Sequence, residues 1–348
     1  MDRNTTTRAA SPSGSNTFIP LLAMILLSVS MVVGLPGNTF VVWSILKRMR
    51  KRSVTALMVL NLALADLAVL LTAPFFLHFL TWHTWSFKLA GCRLCHYICG
   101  VSMYASVLLI TAMSLDRSLA VASPFLSQKV RTKTAARWLL VGIWGASFLL
   151  ATPVLAFRKV VKLTNETDLC LAVYPSDRHK AFHLLFEAFT GFVVPFLIVV
   201  ASYADISRRL RVRRFHRRRR TGRLVVIIIL AFAAFWLPYH VVDLVEGSRV
   251  LAGTLDQSKQ QLRNARKVCI ALAFLSSSVN PLLYACAGGG LLRSAGVGFV
   301  AKLLEATGSE AFSTRRGGTL AQTVKGIPMA PEPGASGSLD GLKQSESD

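Results

Sequence analysis

Asp66 is the only acidic residue in the apolar stretch Val54–Leu80. A carboxylate at such a position is either functional or a neutral, hydrogen-bonded structural acid. Ser106, Ser277 and Asn280, each in another apolar stretch, offer oxygen ligands that would suit a small hard cation such as sodium around Asp66. A second charged pair, Asp116-Arg117, closes a different apolar run; alone it reads equally well as an interfacial arginine that sets orientation. Trp236-Leu237-Pro238 and Asn280-Pro281-Leu282-Leu283-Tyr284 put a proline beside an aromatic or amide group inside apolar sequence, the composition of a kinked, packed helix. Singly, each of these admits a structural reading.

A third set lies at the opposite ends of the apolar runs. His96, Arg158, Arg178, His179, His183, Arg266 and Lys267 are cationic or titratable, and Tyr104, Tyr239, His240 and Glu187 lie deeper. The stretch His96–Tyr104 holds no acid with which to bind an amine. Cations and hydroxyls around an apolar cavity suit an amphipathic anion, a carboxylate with a hydrocarbon body. The candidate contacts are therefore His96, Tyr104, Arg158, His183, Glu187, Tyr239, His240 and Arg266, with Glu187 placed to accept from ligand hydroxyls or to pair with a cation. Any one of these cations alone is as well explained by snorkelling.

The elements that must position these groups are long and apolar. Of 348 residues, 53% are hydrophobic and 16% charged, against about 25% charged in an ordinary soluble domain. Seven runs reach membrane-spanning length, Leu21–Leu46, Val54–Leu80, Leu89–Ala122, Thr134–Ala156, Ala181–Arg208, Arg223–Val245 and Val268–Ala287. Prolines 36, 74, 153, 195, 238 and 281 interrupt six of them, which a membrane bundle tolerates as kinks. The expected fold is an all-α membrane protein, a seven-helix bundle over 21–287. It follows an extracellular N-terminus (1–20) with no cleaved signal peptide. A short amphipathic helix over 288–305 lies on the inner surface, and a disordered cytoplasmic tail covers 306–348.

The net charge of +23 is concentrated in connections between runs, notably Lys47–Arg52 and Arg208–Arg223. Clusters so placed orient the chain with its N-terminus outside and attract anionic membrane lipid; they do not form a nucleic-acid surface. The glycosylation triplets at Asn4 and Asn165 then both lie outside. Cys92 and Cys95 form one CxxC, but no second pair completes a zinc site, and Cys92, Cys95 and Cys99 fit helical spacing. Paired acids, Gly-x-Ser-x-Gly and HExxH within the runs are absent, so no enzyme is indicated. The prolines follow no half-repeat, which argues against a transporter.

Gly37-Asn38, Leu62-Ala63-Leu64-Ala65-Asp66, Asp116-Arg117, Trp144, Pro195 with Tyr203, Trp236-Leu237-Pro238 and Asn280-Pro281 through Tyr284 follow one another across the seven runs. In that order they resemble the rhodopsin-like (class A) G-protein-coupled receptors, over about residues 21 to 304. The resemblance implies a Cys92–Cys170 disulfide. It also implies an activation switch of Asp116, Arg117, Tyr203, Trp236, Pro238, Asn280, Pro281 and Tyr284. Asp116 would hold Arg117 at rest and release it toward Tyr203, Tyr284 and a heterotrimeric G-protein when the sixth span swings out, an equilibrium an agonist biases by preferring one state. Ser118 stands where a tyrosine is usual, and no cysteine follows the amphipathic helix to carry a palmitoyl group.

Within the family, Val32–Asn38, Phe40–Arg48, Arg52–Met58 and Gly288–Gly296 look like the branch of leukocyte receptors for eicosanoid acids. That likeness implies a dihydroxy lipid acid as ligand, inhibitory G-proteins as partners and a role in chemotaxis. Receptor kinases acting on Thr307, Ser309, Ser313, Thr314, Thr319 and Thr323 would recruit arrestin. A chemoattractant-peptide receptor is the alternative, but the N-terminus offers only Asp2 to grip a basic peptide.

Overall fold

Inside a lipid bilayer a lone chain segment can satisfy its backbone only by hydrogen bonding to itself as a helix, and all seven apolar runs are helical. The computed structural model describes residues 15–50, 52–163, 167–212, 219–287 and 298–309. The first span is α1 (Ser15–Trp43), prolonged by a π turn, Ser44–Arg48; the second is α2 (Val54–Leu70) and α3 (Ala73–Trp82). The third is α4 (Lys88–Ala122), followed by a short α5 (Pro124–Val130), and the fourth is α6 (Lys133–Ala151) with α7 (Pro153–Phe157). The fifth comprises α8 (Asp177–Ala188), a π turn at Phe189–Val193 and α9 (Val194–Val212). The sixth is α10 (Arg219–Leu251), the seventh α11 (Lys259–Ala287), and α12 (Phe299–Ser309) follows. Among the described residues, six helices are long and apolar enough to cross a membrane, and α10 completes the seven.

The prolines decide where these helices break. Proline cannot donate to the carbonyl four residues before it. The second span breaks between α2 and α3 ahead of Pro74, where the Thr72 hydroxyl donates to the Val69 carbonyl at 2.7 Å. The fourth breaks at Pro153, and Thr152 donates back to Leu149. In the fifth, Pro195 cannot bond the carbonyl of Gly191, and the π turn falls over that residue. Ser53, Thr132 and Ser176 cap α2, α6 and α8 by accepting from the amides of Ala56, Ala135 and His179.

Pro281 frees the carbonyl of Ser277, and here the partner comes from another span. Asn38 Nδ2 donates to Ser277 O at 2.9 Å and to Gly34 O at 3.0 Å. The helices can approach this closely because residue 37 is glycine: a Cβ there would lie 2.8 Å from Pro281 Cβ.

Four features differ from the sequence expectations. The first span begins at Ser15 rather than Leu21 and the seventh at Lys259 rather than Val268, because both helices continue beyond their apolar cores. The fold is not purely helical: β1 (Arg158–Lys162) and β2 (Asp168–Ala172) form an antiparallel hairpin, with Arg158 opposite Ala172 and Val160 opposite Cys170. The helix expected over 288–305 is described from Phe299 and runs past 305 to Ser309. Its apolar face, Phe299, Val300 and Leu304, is buried in the core shared with the first and second spans, Phe299 stacking on Phe40 at 5.9 Å. Asn4, Asn165 and the tail from 310 lie outside the described residues.

Replacing Gly37 by valine is expected to force the first and seventh spans apart and cost about 1–3 kcal/mol, read as a lowered melting temperature of the purified protein.

Candidate functional site

At the end of the bundle that carries the hairpin, the Cys92–Cys170 disulfide joins α4 to β2 with the Cα atoms 5.7 Å apart. Trp85 is buried beneath it, its backbone amide donating to Asp168 O at 2.7 Å and its indole to Lys88 O at 3.0 Å. These contacts place the start of β1, and with it Arg158, over the bundle. Arg93 Nε donates to the Arg158 carbonyl at 3.2 Å.

Five of the eight expected ligand contacts form one polar cluster around Tyr239. The Tyr239 hydroxyl donates to Glu187 Oε1 at 3.0 Å, and His183 Nδ1 lies 3.9 Å from the other Glu187 oxygen and 3.1 Å from the Tyr174 hydroxyl. The Arg266 guanidinium sits over the Tyr239 ring, 5.6 Å from its centre. Arg158 responds electrostatically to Tyr239, Tyr174, Glu187 and Arg266. Burial, with Arg266 acting in the same direction, pushes the pKa of Arg158 below its ordinary value. Burial together with Glu187 pushes the Tyr174 phenol up to about 12, so it stays a hydrogen-bond donor at neutral pH.

Arg266, expected as a ligand contact, is itself paired with acids of the bundle. Its Nη1 lies 2.6 Å from Asp243 Oδ1 and its Nη2 2.7 Å from Glu246 Oε2, and Glu246 also takes Lys180 Nζ at 2.7 Å. Arg158 joins none of the salt bridges among the described residues. Asp243 and Glu246 were missed in the sequence, although both are acids in or beside an apolar run, the signal that picked out Asp66 and Glu187.

The other three expected contacts sit around this cluster. His96 Nδ1 bonds the Cys92 carbonyl at 2.9 Å, and its ring packs on Phe76 beside the disulfide. The Tyr104 hydroxyl pairs with Thr190 at 3.1 Å. His240 is buried, stacked on Phe192 and Trp236, with Nδ1 3.6 Å from Asp243 Oδ2. His179 is accounted for by the start of α8, where Ser176 bonds both its amide and its ring.

Below Trp236 the four residues expected around a cation share one small cavity. Asp66, Ser106, Ser277 and Asn280 line it together with Ser102 and Trp236, and Asn280 Nδ2 donates to Asp66 Oδ2 at 2.8 Å. About 20 Å³ of it is open to the centre of a water-sized group, room for a water molecule or a small ion.

At the opposite end the Asp116-Arg117 pair differs from expectation. Asp116 Oδ1 bridges to Arg131 Nε at 2.9 Å, while Arg117 and Arg131 both donate to Thr55 Oγ1, at 2.9 and 3.1 Å. Ser118, in the usual tyrosine position, donates to Asp205 on the fifth span at 3.2 Å. The hydroxyls of Tyr203 and Tyr284 are buried with no hydrogen-bond partner among the described residues. Pro238 and Pro281 lie inside unbroken helices. Of the basic block 208–223, residues 213–218 lie outside the description.

Seven helices with these groups at these positions match the family 7 transmembrane receptor (rhodopsin family) over residues 37–284. The chain belongs to the rhodopsin family of seven-transmembrane receptors. As a family member it is a multi-pass membrane protein and a G-protein-coupled receptor, not an enzyme. It is 74% identical over 339 residues to leukotriene B4 receptor 1 of Homo sapiens, covering 97% of this chain and 96% of that one. With leukotriene B4 receptor 1 of Rattus norvegicus it shares 72% over 341 residues, 97% of each chain. With leukotriene B4 receptor 2 of Homo sapiens the figure is 44% over 285 residues, 80% of this chain and 78% of the relative.

Thr55 is a switch-region contact that sequence reasoning missed. Replacing it by valine removes the acceptor shared by Arg117 and Arg131, and basal nucleotide exchange on a reconstituted G-protein is expected to rise about threefold.

Proposed function

We propose that this receptor binds leukotriene B4 at the hairpin end and answers through inhibitory G-proteins at the Arg117 end. The observation that carries the ligand reading is Arg158, a partly buried cation at the start of β1, outside every salt bridge among the described residues, at the end of the bundle that holds the Tyr239–Glu187 and Tyr174–His183 pairs. A buried charge without a counter-ion is costly, and a lipid carboxylate would supply one. The Tyr239–Glu187 and Tyr174–His183 pairs would meet the ligand's hydroxyls, and the apolar wall around Trp236 and Tyr104 its hydrocarbon chain. The names of the relatives support the same assignment.

The remaining parts follow from this reading. The chain lies in the plasma membrane with the hairpin and N-terminus outside, sugars on Asn4 and Asn165, and the basic block inside facing the G-protein. Receptor kinases act on the tail hydroxyls, and arrestin follows. Motion of the sixth span, through Trp236 and the Pro238 kink, transmits binding to Arg117, Tyr203 and Tyr284 in leukocyte chemotaxis. A sodium ion held by Asp66, Ser106, Ser277 and Asn280 would favour the resting state; the hard oxygen donors of this set fit such an ion.

Cells expressing the chain are expected to answer low leukotriene B4 concentrations with a fall in cyclic AMP that pertussis toxin abolishes. Arg158→Ala should raise the Kd by about 30-fold to a few thousand-fold, the span of 2–5 kcal/mol for a lost buried charge partner. Silence toward this lipid, with a response to chemotactic peptides, would overturn the ligand assignment. Raising sodium is expected to weaken agonist binding about fivefold; an unchanged sodium response in Asp66→Asn would refute that site.

A further inference from the structure

The hairpin end holds two guanidinium groups, Arg266 over the Tyr239 ring and Arg158 at the start of β1, and they are treated in opposite ways. Arg266 is gripped from two sides, by Asp243 at 2.6 Å and Glu246 at 2.7 Å. Both acids lie on the sixth span, and Glu246 is itself shared with Lys180 of the fifth at 2.7 Å. Asp243 is fully buried, where an acid persists only with a partner of this kind. Arg158, on β1, has no such acid among the described residues, and Glu187 is held by the Tyr239 hydroxyl and His183 instead.

An entering carboxylate must therefore choose between a cation already neutralised and one that is not. Pairing with Arg266 would displace a buried aspartate into an uncompensated state, whereas pairing with Arg158 displaces no acid among the described residues. We infer that Asp243, with Glu246, is a positioning residue that withholds Arg266 from the ligand and so directs the acid end of a lipid to Arg158. This fixes which way round an asymmetric lipid acid lies. It rests on the reading of Arg158 as the anchor.

The inference predicts a rescue. In membranes from cells expressing the full chain, binding of radiolabelled leukotriene B4 is compared in wild type, Arg158→Gln, Asp243→Asn and the double variant. Arg158→Gln should weaken binding at least about 30-fold. Adding Asp243→Asn should recover about tenfold of that loss, because Arg266 then keeps only Glu246 and can take the carboxylate. The recovered part should vanish for the methyl ester of the ligand, which carries no charge to pair. A role for Asp243 in helix packing alone would give no recovery and no dependence on the ester.

A double variant that binds no better than Arg158→Gln, while Asp243→Asn alone still binds, overturns the inference. Glu246→Gln, which loosens Arg266 from the other side, takes the place of Asp243→Asn if the latter fails to reach the cell surface, and its failure to rescue counts equally against it. Unweakened binding by Arg158→Gln would instead sink the anchor reading on which the inference stands.

Discussion

A proline inside a membrane helix leaves a carbonyl with no water to turn to, and the way Pro281 is handled organises much of the bundle. The freed Ser277 carbonyl is met by Asn38 from the first span, which ties the two spans together at the depth where Gly37 lets them touch. One residue from Pro281, Asn280 donates to Asp66, bringing in the second span, and Ser277 and Ser106 close the same cavity with the third. A carbonyl orphaned by covalent geometry thus sits at the centre of four helices. Without water the alternative is an unsatisfied polar group costing several kcal/mol, on the order of a protein's whole stability.

The two ends of the bundle use charge differently. At the hairpin end, acids of the sixth span neutralise Lys180 and Arg266 and so stitch the fifth, sixth and seventh spans, while Arg158 on the hairpin joins no salt bridge among the described residues. At the other end Thr55 gathers Arg117 and Arg131, and Asp116 turns to Arg131. Trp236 lies between, packed with both the Tyr104 cluster and the larger core.

The seven spans were legible because each is a long apolar run, and their breaks because proline leaves a local mark. The Asp66 cavity was legible too: four polar groups in apolar runs have few places to go but toward one another. Pairings between distant residues of ordinary type were not. Nothing local says that Asp116 will choose Arg131 over its neighbour, or that Arg266 will be taken by Asp243 and Glu246. The hairpin was hidden for a different reason: its ten residues are flanked by longer apolar runs, and it is held to the bundle by the Cys92–Cys170 bond and by Trp85 beneath it. The described part of α12 ends beyond the expected 305, at Ser309, and the core takes up Phe299 and Leu304.

That hairpin separates two kinds of inheritance. Arg158 is presented by a strand whose register with Ala172 is set by its own ladder, whereas Trp236, Asn280 and Arg117 are embedded in helices that cannot shift without disturbing their neighbours. Changes in strand length or sequence can therefore move or remove Arg158, the cation proposed to take the ligand's acid group, while the helices that address the G-protein stay intact. A lineage of receptors built this way can explore new ligands on a loop without relearning how to signal.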